Sequence, residues 1–153
     1  MQRWYGRQPE QGVGHQKDVL QFMAVRTVTQ SIESDAVPTV VFELIADPRR
    51  IPDWAPGFAD VVTENVGDGW RATKDGKDFT FRAVARQDAG TVDYLREIAP
   101  GREGGAYLRV VPRPVGGTVI IMTLPVGPNT DPTVVASILR QELDALARLA
   151  DIS

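Results

Sequence analysis

The chain has 153 residues, with 17 basic and 20 acidic side chains, a formal charge of −3 and no cysteine. That length suits one domain that buries roughly 70% of its unfolded surface, so no disulfide or metal staple is needed, and thiolate chemistry is excluded. The mildly acidic, scattered charge supplies neither the concentrated positive field that nucleic acid requires nor a polybasic membrane anchor.

Residues 1–22 are rich in Gln, Gly and Arg and follow no period of 2 or 3.6, so they are expected to form a mostly irregular tail ahead of a domain over 23–153. This stretch lacks a continuous apolar core and a small-residue cleavage site, so no signal peptide is expected. No apolar run approaches the roughly 20 residues that span a bilayer. Together these readings predict a cytoplasmic protein without membrane insertion. Trp4 and Tyr5 remain able to dock on the body or on a second subunit, which leaves a homodimer open.

From Met23 the pattern becomes regular. Residues 24–33 alternate and carry β-branched side chains, predicting a strand. Ser34 or Asp35 is expected to cap the helix that follows, with Pro38 in its first turn, Val41, Leu44 and Ile45 as its apolar stripe, and Pro48 after its end. The segment RRIPDWAPGF, broken by Pro52 and Pro56, predicts a turn of helix and a loop. Six strand-like runs follow, separated by short Gly- and Asp-bearing turns, and such turns join antiparallel neighbours rather than parallel ones. Gly104-Gly105 and Gly116-Gly117 are both expected at hairpin turns. Asp131-Pro132 starts a last helix whose apolar face is Val135, Ile138, Leu139, Leu143, Leu146 and Leu149. Strand, helical turns, six antiparallel strands and a long helix make an α+β chain with helices on one face of the sheet.

The stretch SIESDAVPTVVFELIADPRRIPDWAP, with Ile32, Val41-Phe42, Ala46-Asp47-Pro48, Pro52 and Trp54, resembles the opening of START-like (SRPBCC) proteins. VDYLREIAPGREGGAYLRVVPRPVGGTVIIMTLPVGP and LRQELDALARLADI resemble the later strands and closing helix of the polyketide cyclase/dehydrase-like branch. The resemblance implies a helix-grip fold: a curved seven-stranded antiparallel sheet around a long C-terminal helix, with two short helices after the first strand. It also implies a cavity for lipids, sterols, polyketides or other hydrophobic compounds, with Trp54 and Phe58 near its mouth. The family shares no universal catalytic motif, so no catalytic residue is carried over.

The residues themselves narrow the chemistry. The one histidine, His15, lies in the tail, so a metal site and a His-dependent nucleophile are both unexpected. No Gly-rich phosphate loop follows a strand, so no nucleotide cofactor is expected, and the cofactor reading is none. Tyr94-Leu95-Arg96 and Tyr107-Leu108-Arg109 repeat on consecutive strands, and residues two apart share a face. Turned inward, such a pair offers a phenol and a cation able to hold a ligand carboxylate or enolate. Asp93 and Glu97 favour the inward setting of Val92, Tyr94 and Arg96. For Tyr107 and Arg109 the opposite setting, with Leu108 and Val110 inward, reads equally well, since one residue of slip reverses the face. Phe79 and Phe81, alternating with Thr80 and Arg82, are expected to face inward as core or lining. Trp70 should pack inward, and Leu139 and Leu143 should present the helix to the same space. Asp47 and Asp53 are read as local stops and caps rather than an acid–base pair.

Three readings follow. The first is a binding protein for a small hydrophobic or aromatic ligand. The second is a cyclase or dehydratase acting on a polyketide-like substrate through Tyr94, Arg96 or their neighbours. The third is an interaction module with a vestigial cavity.

Overall fold

The computed structural model describes residues 27–65, 67 and 69–153. The tail boundary at 22/23, Trp4, Tyr5, His15 and the strand onset before Thr27 lie outside the described residues. In chain order the elements are β1 (Thr27–Ser34), α1 (Pro38–Ala46), a 3-10 turn (Pro48–Arg50), α2 (Ile51–Trp54), β2 (Val61–Glu64), β3 (Trp70–Lys74), β4 (Lys77–Arg86), β5 (Thr91–Ala99), β6 (Arg102–Pro112), β7 (Thr118–Pro125) and α3 (Pro132–Asp151). The strands form one curved antiparallel sheet in the order β1-β7-β6-β5-β4-β3-β2, as the helix-grip fold requires.

Local chemistry explains most boundaries. Pro38 sits at the start of α1, where its missing N–H costs nothing, and Val41, Leu44 and Ile45 are the buried stripe. The expected cap is corrected: Val37 occupies the N-cap position and no side chain caps α1. Ser34 is instead drawn into the tertiary structure, its hydroxyl accepting from Ala36 N–H and donating to Asp151 at the end of α3. Asp47 ends α1 and accepts from Arg49 N–H, while Asp53 accepts from Arg50, so both act as local stops. At the β3–β4 turn Asp75 and Gly76 both have positive φ, 52° and 77°, the pairing that matches a hairpin to the right-handed twist of its strands.

A second correction concerns Gly104-Gly105. They are interior to β6, which begins at Arg102, and only the Gly116-Gly117 pair forms a turn with positive φ. Gly105 lies opposite Leu95, and a Cβ there would collide with the Tyr94 carbonyl oxygen, so the glycine permits close approach of β5 and β6.

In α3 the Asp131 carboxylate accepts from Thr133 N–H and Pro132 takes the first position. Val135, Leu139, Leu143 and Leu146 are buried against the concave face, while Ile138 and Leu149 are half-buried at its margins. The helix runs along β1, where Arg140 donates to Ser31 O and to Gln30, and it reaches α1 and α2 at the far side.

Candidate functional site

Strand alternation decides which residues meet inside. On β5, Val92 and Tyr94 are buried, with Arg96 next on the same face. Pairing sets Ala83 and Ala106 on either side of Tyr94, Gly104 beside Arg96, and Trp70 beside Phe81. The small neighbours leave room for the large rings, and Phe79 and Phe81 of β4 line the same surface.

These rings form one continuous aromatic series. Phe58, in the loop after α2, packs edge-on against Phe79 and Phe81, with centroids 5.2 Å and 5.5 Å apart. Phe81 meets Tyr94 at 6.1 Å, and Tyr94 meets Trp54 at 6.2 Å. At the Phe79 end the Arg96 guanidinium carbon lies 4.8 Å from the ring centroid, a cation–π stack on the inner face. At the other end the Trp54 indole Nε1–H is buried without a hydrogen-bond acceptor.

Tyr94 is committed. Its hydroxyl donates to the carbonyl oxygen of Ile45 on α1. Burial, aided by the negative charge of Asp47, pushes its pKa well above the ordinary phenol value. It therefore clasps α1 to β5 and is poorly suited to deliver a proton at neutral pH.

The structure sorts the remaining candidates. Trp54, Phe58 and Phe81 are buried, Phe79 is half-buried, and Leu139 and Leu143 are completely enclosed. Trp70 is half-buried and also lines a surface groove of about 420 Å³ with Phe42, Arg49 and Glu64. Tyr107 and Arg109 require correction as lining residues: they point to the outer face. Leu108 and Val110 occupy the inward positions, Tyr107 lies opposite Asp93 and Thr123, and its side chain is 37% exposed. Arg109 is exposed as well and borders a separate surface recess of about 320 Å³ between α1 and the β4–β5 turn. Burial favours the hydrophobic alternates on β6, and that preference sets the register.

One interior residue escaped the sequence reading. Glu142 of α3 is only 3% exposed, within the buried leucine face. Its spacing, three after Leu139 and four before Leu146, was the available signal. Among the described residues no group of three His, Cys, Asp or Glu side chains could hold a metal ion, and no helix is long and apolar enough to cross a membrane.

A profile of the family described as polyketide cyclase / dehydrase and lipid transport matches residues 25–151. No protein of curated function matches the sequence. An uncharacterized protein from Bacillus thuringiensis superposes with a TM-score of 0.63 at 19% identity, covering 83% of this chain and 99% of its own. The Zhui aromatase/cyclase from Streptomyces sp. R1128 superposes with a TM-score of 0.57 at 17% identity, over 82% of this chain and 93% of its own. The di-domain ARO/CYC BexL from the BE-7585A biosynthetic pathway gives 0.57 at 22% identity, over 81% of this chain and 46% of its own. At these identities the likeness establishes the fold.

Proposed function

The chain belongs to the polyketide cyclase / dehydrase and lipid transport family, and from that premise we propose that it binds a small hydrophobic or aromatic ligand between the concave sheet and α3. The observation that carries this reading is the Arg96 guanidinium stacked on Phe79 at the inner face, within a series of aromatic rings. Rings supply apolar and stacking contact, and a forked cation fixes the orientation of an anionic or carbonyl oxygen. The fold likeness to two aromatase/cyclases supports a polyketide-like or aromatic compound as the ligand class.

The test uses anilinonaphthalenesulfonate, an aromatic anion, titrated into the folded full-length chain. Saturable binding is expected, weakened about tenfold by Arg96→Met, since a hydrogen bond to a charged group contributes about 1.4 kcal/mol or more. No saturable binding, or equal affinity in wild type and variant, overturns the reading.

A cyclase or dehydratase acting on the same ligand is the second reading, favoured by the buried carboxyl of Glu142. Native mass spectrometry of protein purified from its own host separates the two. If the chain is a dehydratase, Glu142→Gln should retain a molecule heavier by one water than the wild type does. The same retained mass in both leaves binding alone.

A further inference from the structure

We infer that Trp54 is a specificity-determining residue, whose indole Nε1–H selects ligands carrying a carbonyl or ether oxygen over pure hydrocarbons of the same shape. This rests on the proposed ligand site and adds a chemical class to it.

Trp54 ends α2, one short turn of helix held between the sheet and α3, and its side chain is 1% exposed. Indole has one polar atom, and that atom can only donate. Here it is buried with no acceptor, although the great majority of buried donors in folded proteins have one. The interior around it is apolar and aromatic, with Tyr94 the neighbouring ring and the Tyr94 hydroxyl already donating to Ile45. A phenylalanine would fill much of the same space without stranding a donor. The polar atom is thus dispensable for packing, and its desolvation penalty is recovered only when an oxygen acceptor enters.

Position supports the same assignment. Trp54 and Arg96 stand at opposite ends of one series of rings, Trp54 beside Tyr94 and Arg96 over Phe79. A flat ligand sliding among those rings meets an N–H donor at the Trp54 end. A site built around a donor discriminates strongly against analogues that leave that donor unmatched.

The experiment compares fluorenone with fluorene, two tricyclic probes of the same outline that differ by one carbonyl oxygen, titrated against the full chain. Wild type should bind fluorenone about tenfold more tightly than fluorene, and Trp54→Phe should abolish that preference while leaving fluorene affinity within about twofold. An independent readout needs no variant at this position: on nitrogen-15 correlation spectra the Trp54 indole N–H should move downfield with fluorenone and not with fluorene, with Trp70→Phe assisting assignment. Equal affinity for the two probes, an undiminished preference in Trp54→Phe, or identical indole shifts overturns this inference and leaves the ligand site standing. Binding of neither probe overturns the ligand site itself, and this inference with it.

Discussion

The Tyr94 phenol spans from β5 to the carbonyl of Ile45, 49 positions earlier in the chain. That one bond fastens the last turn of α1 onto the sheet and spends the only titratable proton that the sequence pattern had placed on the inner face of β5. The bond has a pH signature. Below about pH 10 folded and unfolded chains both keep the proton. Above it the unfolded phenol ionises while the buried one, its pKa raised by desolvation, does not, so stability falls as pH rises. Tyr94→Phe is expected to lose about 1–2 kcal/mol at neutral pH and to show a shallower alkaline decline, measured as urea midpoints across the alkaline range. An unchanged decline would remove Tyr94 as its source. The face occupied by Tyr94 was readable from alternation with Asp93, but its partner was not, because nothing in the sequence links position 94 to position 45.

At the level of elements, caps and turns divide by whether their chemistry is local. Asp131 bonds to Thr133 two positions on, and the sequence signal and the structure agree. Asp131→Ala should therefore cost about 1 kcal/mol in chemical denaturation, with Asp131→Ser recovering most of it. Loss of less than a few tenths would mean that packing alone positions the start of α3. Ser34 carries the same residue-type signal, yet its hydroxyl serves Asp151 at the end of α3 and α1 begins without a side-chain cap. Gly104-Gly105 misled in a related way. Paired glycines commonly mark a turn, whereas these sit mid-strand because β5 passes too close for a Cβ at Gly105. Glu142 adds a third case, a carboxylate that spacing assigns to the buried leucine face of α3.

For the molecule as a whole, the division between inner and outer sheet faces has a direct test. Tyr107→Phe and Arg109→Met, on the outer face, should leave anilinonaphthalenesulfonate affinity within about twofold, in contrast to Arg96→Met. A loss from the outer pair equal to that from Arg96→Met would place the dye elsewhere. The same dye at about a hundredfold excess over its Kd should stabilise the fold by about 2.7 kcal/mol through mass action. That corresponds to a rise of about 5–10 °C in the unfolding temperature of a chain this size. An unshifted transition would show that the dye does not select the folded state.

The sequence by itself determined the order and type of the elements, the antiparallel sheet and the closing amphipathic helix, since hydrophobic period, proline position and short turns are local properties of the chain. It also determined the inward setting of Tyr94 and Arg96, because charged neighbours at Asp93 and Glu97 break the symmetry between the two faces. Tertiary structure alone decided the setting of Tyr107 and Arg109: Leu108 and Val110 offer an equally regular alternation, and only burial against the core distinguishes them. It likewise decided that Tyr94 is a clasp, that Phe79 carries the Arg96 guanidinium, and that Trp54 keeps a buried donor without an acceptor. Each of these depends on what lies opposite across the interior, and distances across a folded core are not encoded in neighbouring residues.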